Sequence, residues 1–135
     1  VGTLTAAPYS FAWDSRSGSD GTAVLTSKAY DRAGNATTSA SLSVTVDNTA
    51  PNVAITSPQN GNVVFNAVTI TANAADNASV TKVEFYDGGA LIGTDTTAPY
   101  SISYTAPLGR RDLTAKAYDP AGNVRTSATV SVTVL

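Results

Sequence analysis

The sequence predicts an all-β protein built as an antiparallel β-sandwich, and three observations carry that expectation. Apolar residues recur at every second position in short runs, as they do in strands with one buried face. Thr and Val together make up about a quarter of the 135 residues, and their branched side chains suit a pleated surface. Gly, Pro, Asn and Asp gather between these runs, where turns need them. No stretch repeats with the 3.6-residue period of a helix.

Taken in order from Val53, each run reads as a strand or a turn. Val53 and Ile55 mark a first strand, and Ser57-Pro58-Gln59-Asn60-Gly61 a turn. Val68, Ile70, Ala72 and Ala74 alternate with Thr69, Thr71 and Asn73. Val83 and Phe85 alternate with Lys82, Glu84 and Tyr86 before Asp87-Gly88 closes a tight hairpin into Leu91-Ile92. Tyr100, Ile102 and Tyr104 line one face of the next strand, and Leu113, Ala115 and Ala117 that of another. Asp119-Pro120-Ala121-Gly122-Asn123 turns the chain into Val130, Val132 and Val134. About seven strands at such spacing give an immunoglobulin-like sandwich, with apolar residues standing where antibody domains place a disulfide and its Trp.

Part of this pattern occurs twice. Gly2 to Trp13 (GTLTAAPYSFAW) matches Gly93 to Tyr104 (GTDTTAPYSISY) at 7 of 12 positions, with an offset of 91. Ser27 to Val46 matches Ala115 to Val134 at 14 of 20, with an offset of 88. The offset falls because the first copy carries a longer loop, Asp14 to Gly21. Internal repetition on this scale marks two copies of one module. The first copy shows only the late strands, centred on Tyr9-Phe11-Trp13, Leu25-Ser27-Ala29 and Leu42-Val44-Val46. The expected organisation is therefore residues 1–47 as the C-terminal half of one module, 48–51 as a linker stiffened by Pro51, and 52–135 as a complete module.

The residue types present limit the chemistry. With no His, Cys or Met, a Ser-His-Asp relay, a thiolate nucleophile, a disulfide and a His- or Cys-ligated metal are all excluded. A net charge of −2 with only 13% charged residues offers no basic stripe for nucleic acid. No apolar run approaches the ~18 residues of a membrane span, and no secretory leader is read at the start. Neither nucleic acid nor membrane insertion is expected.

Several side chains invite a functional reading. The turns Asp31 to Asn35 and Asp119 to Asn123 each hold one carboxylate, where calcium loops supply several, so they read as hairpin turns. Asp47 and Asn48 with Asp76 and Asn77 form the better candidate for a cation at the junction, though with few ligands. Tyr9, Trp13, Tyr100 and Tyr104 fall on the inward phase and read as core. Tyr86 and Tyr118 fall outward and are the candidates for stacking on sugar. Glu84, the one glutamate, reads as a solvated partner of Lys82, without the facing carboxylate that glycosidase chemistry requires. Arg110-Arg111 reads as a solvated pair in a hairpin loop. Asn35-Ala36-Thr37 and Asn77-Ala78-Ser79 fit the glycosylation pattern, which arises easily by chance. No catalytic, cofactor-binding or metal-binding residue is assigned, and no cofactor is expected.

The words Pro51-Asn52-Val53-Ala54-Ile55-Thr56-Ser57-Pro58, Lys82-Val83-Glu84-Phe85-Tyr86-Asp87-Gly88 and Ala115-Lys116-Ala117-Tyr118-Asp119-Pro120-Ala121-Gly122-Asn123 carry a resemblance. The chain resembles the bacterial Ig-like domains that recur in tandem in secreted glycoside hydrolases and surface adhesins. The likeness spans Pro51 to Val134, and Val1 to Val46 as a partial copy. It implies a non-catalytic extracellular or cell-surface module for spacing, adhesion or strand-exchange assembly. The alternative is a carbohydrate-binding accessory module of a polysaccharide hydrolase. The inward face of the first copy lacks an opposing sheet, and burying each large apolar side chain contributes roughly 1.5–3 kcal/mol. The expected partners are therefore neighbouring Ig-like domains or other copies of the chain, in strand exchange or a filament, with polysaccharide as a further candidate.

Overall fold

In a computed structural model, which describes residues 1–135, the alternating runs become antiparallel strands grouped in two compact units, Val1–Asn48 and Thr49–Leu135. The first unit contains β1 (Gly21–Leu25), β2 (Lys28–Tyr30), β3 (Ala36–Thr38) and β4 (Leu42–Val46). They form two separate two-stranded ribbons, β1 with β4 and β2 with β3. A single 3-10 turn at Ser15–Ser17 is capped by the Asp14 carboxylate, which accepts from the Arg16 amide at 3.0 Å.

The second unit is the complete sandwich. Its strands are β5 (Asn52–Ser57), β6 (Val63–Val64), β7 (Ala67–Ala75), β8 (Lys82–Asp87), β9 (Ala90–Asp95), β10 (Tyr100–Thr105), β11 (Gly109–Tyr118), β12 (Val124–Thr126) and β13 (Val130–Val134). One sheet runs β10-β7-β5; the other runs β6-β13-β11-β8-β9, with β12 also on β11. The strands beyond the expected seven are the short β6 and β12, too brief to show an alternation. Between the sheets lie Ile70, Val83, Phe85, Leu113, Ala115, Ala117, Val132 and Val134, all 3% exposed or less. Register explains the small residues on β11. Ala115 stands beside Phe85 and Ala117 beside Val83, so small side chains make room for large ones on the same sheet face. The β8–β9 turn takes positive φ at both Gly88 and Gly89 (55° and 91°), as a two-residue hairpin loop requires.

Two expectations need correction. Tyr9-Phe11-Trp13 forms no strand, and Tyr9 is 73% and Phe11 51% exposed. Their counterparts Tyr100, Ile102 and Tyr104 pair with Ala72, Ile70 and Val68 of β7, and the first unit has no equivalent of β7 to hold them. Arg110 and Arg111 do not lie in a loop. They open β11 opposite Thr133 and Val132, because the chain has already turned by Gly109, which faces Val134.

Candidate functional site

The densest group of ionisable side chains in the complete module lies on the outward face of β8 and β11. Alternation sends Lys82, Glu84 and Tyr86 to this side of β8, and Thr114, Lys116 and Tyr118 to the same side of β11. Register then sets Lys82 beside Tyr118, Glu84 beside Lys116, and Tyr86 beside Thr114.

Glu84 is the hub. Lys82 Nζ donates to its Oε1 at 2.6 Å, while the hydroxyls of Tyr86 and Tyr118 donate to Oε2 at 2.6 and 2.7 Å. Its side chain is only 12% exposed, so the reading of Lys82 and Glu84 as a solvated pair is corrected. Two neighbouring phenols shield the carboxylate in a way that sequence spacing along one strand does not reveal. Lys82 donates most strongly to the carboxyl, and Tyr86 adds a further hydrogen bond. Together they hold it at about 2 despite the opposing effect of burial. The same carboxylate pushes Tyr86 and Tyr118 above the ordinary phenol range and Lys82 above the ordinary ammonium range.

This arrangement has chemical consequences. A carboxyl held at about 2 is an anion at working pH and has no proton to give, whereas the acid of a glycosidase needs a raised value. The two outward tyrosines are also occupied. Lys82 Nζ lies 4.3 Å from the Tyr118 ring centroid and Lys116 Nζ 4.8 Å from that of Tyr86. Ammonium groups over the rings stand where a stacked sugar would lie.

At one end of this sheet, Tyr104 of β10 donates its hydroxyl to Asp87 Oδ2 at 2.8 Å, and Arg111 Nη1 is 3.7 Å from the same oxygen. This group links the two sheets. The repeated turns are built alike. Asp31 accepts from the Asn35 amide at 2.9 Å and side chain at 2.8 Å, and Asp119 accepts from the same groups of Asn123 at 2.8 and 2.7 Å. Both oxygens of each carboxylate hold their own turn together.

For the cation candidate, Asp76 and Asp119 bring carboxylate oxygens within 4.8 Å of each other. Asp76 Oδ2 accepts from the Ala78 amide at 3.0 Å, and its Oδ1 is buried without a hydrogen bond. Two carboxylates fall short of the six or more oxygens that calcium takes. Sequence reasoning missed Asp119 as the neighbour of Asp76, since 43 residues separate them and only the folded sandwich brings the two loops together. Asp47 and Asn48 belong to the first unit, where Asn48 is tied to the 14–21 loop through Asp20 and the Ser15 carbonyl. A shallow hollow of about 510 Å3 lies over Asn52, Ala54, Asn73, Ala75, Ala98 and Pro99, and its walls carry no carboxylate or amine.

A family model described as the bacterial Ig domain matches residues 51–134. The chain belongs to the bacterial Ig domain family. Among solved structures, this bacterial Ig domain is similar to the Clostridium thermocellum CbhA fibronectin(III)-like modules. Identity is 36% and TM-score 0.59, over 62% of this chain and 94% of that one. A Bacteroides uniformis beta-glucuronidase structure aligns at 19% identity and TM-score 0.43, over 63% of this chain and 11% of that one. No curated protein matches the chain.

Proposed function

We propose that the bacterial Ig domain of this chain is a non-catalytic spacer in an extracellular polysaccharide-acting protein, its work being mechanical. The observation that carries this reading is the state of Glu84. The one glutamate is bound by Lys82, Tyr86 and Tyr118 and kept ionised, so it serves as a structural clamp between β8 and β11. The resemblance to the CbhA fibronectin(III)-like modules supports the same reading. The clamp adds side-chain links to a backbone ladder at the centre of the sheet, which suits a module that must keep its shape under load.

Pulling the whole chain from its two ends in a single-molecule force experiment tests this. The second unit is expected to open in one event, with a contour-length gain of about 30 nm at roughly 3.5 Å per residue. Gradual extension without a discrete event for this unit overturns the mechanical reading. Release of sugar from polysaccharide by the purified chain overturns the non-catalytic one.

A further inference from the structure

We propose that the first unit is an acceptor for an incoming β-strand, which pairs with the open edge of Leu25–Tyr30 and sets a carboxylate opposite Lys28. The chain contains its own template for this interaction. In the second unit, β11 is paired on one side with β13 and β12 and on the other with β8. In the first unit, β1 and β2 correspond to β11, and β4 and β3 to β13 and β12. The strand corresponding to β8 is missing, so one whole edge is unpaired. Such an edge carries a row of backbone donors and acceptors ready for another strand.

The side chains at this edge specify the occupant. Leu25, Ser27 and Ala29 match Leu113, Ala115 and Ala117. The second set is 1%, 0% and 0% exposed, whereas Leu25 is half-buried and Ser27 and Ala29 are exposed. The incoming strand must therefore present apolar residues on this face, as Val83 and Phe85 do opposite Ala117 and Ala115. On the other face, Lys28 and Tyr30 match Lys116 and Tyr118. Those two flank Glu84, one as its register partner and the other as a hydrogen-bond donor at 2.7 Å. At the open edge Tyr30 is 69% exposed, with Lys28 Nζ 5.5 Å from its ring. A basic and a phenolic group thus await an acid at the middle of the strand. The partner is a strand of apolar-acidic-apolar alternation, the pattern of Val83-Glu84-Phe85. A folded second copy of this chain cannot donate its own β8, which is already paired to β11 on one side and β9 on the other.

The full chain mixed with a synthetic peptide of residues 81–95 tests the proposal, read by hydrogen exchange at amides 25–30. Saturating peptide is expected to slow exchange there at least tenfold, with the β11 amides of the second unit unchanged. A peptide carrying Glu84→Lys is expected to lose this protection. The exposed substitution Lys28→Glu in the chain is expected to reverse the preference, so that the lysine peptide protects and the native peptide does not. Three results overturn the proposal: no slowing with either peptide, equal slowing with both, or changes confined to β11. Exchange across the second unit shows in every arm that the chain is folded.

Discussion

Glu84 shows how much one side chain can depend on its cross-strand neighbours. Free in water its carboxyl titrates near the ordinary value of 4.5, and in the fold it is held at about 2. Because the folded-state value is the lower one, the contribution to stability is whole above about pH 4.5 and fades as pH falls toward 2. A displacement of this size corresponds to at most about 3 kcal/mol. Urea unfolding between pH 7 and pH 2.5 should show that loss, and Glu84→Gln should flatten this part of the pH profile while being less stable at pH 7. Gly93 has a different constraint. A Cβ there would come within 2.9 Å of Ile102 Cγ2 and 3.0 Å of its Cδ1, which explains why the Gly-Thr word recurs: Gly2 is as closely covered by the Phe11 ring. Gly93→Ala should cost about 1–3 kcal/mol by overpacking. In an Ile102→Ala background the same change should cost clearly less, a coupling that a double-mutant cycle measures directly.

At the scale of strands, the two sheets meet through apolar packing and through one polar tie. Tyr104 on β10 reaches Asp87 on β8, whose carboxylate is 7% exposed, and Arg111 of β11 approaches the same oxygen. Tyr104→Phe keeps the ring and removes the donor, so it should cost about 1–3 kcal/mol in denaturant unfolding; a change below about 0.3 kcal/mol would show that Arg111 takes over the freed oxygen. The main strands were legible in the sequence because alternation records which face is buried: Val83 and Phe85, Leu113 to Ala117, and Val130 to Val134 all follow it. Alternation also placed Tyr86 and Tyr118 outward. It could not show that both would turn their hydroxyls onto Glu84, since that depends on the register between β8 and β11, strands some thirty residues apart. Nor could it show that Tyr9 to Trp13 would stay irregular. Their pattern is that of a strand, but a strand exists only when another chain segment pairs with it, and local sequence carries no record of that partner.

Across the whole molecule, the internal repeat provides a controlled comparison of one sequence pattern in two settings. Leu113 and Leu25 occupy the same place in the repeat, yet Leu113 is 1% exposed inside a closed sandwich and Leu25 is half-buried on a two-stranded ribbon. The stability of a strand residue comes largely from what is packed over it, and two-stranded ribbons are marginal by themselves. Leu113→Ala should therefore cost about 2–5 kcal/mol, the range for a buried leucine that leaves a cavity. Leu25→Ala should cost under about 1 kcal/mol, because water already reaches its side chain. Hydrogen exchange on the unmodified chain should divide along the same boundary, with amides of β8, β11 and β13 opening together and slowly and those of β1 to β4 exchanging far sooner. Equal costs for the two leucines, or protection in β1 to β4 matching that of β11, would mean that something already covers the first unit in solution.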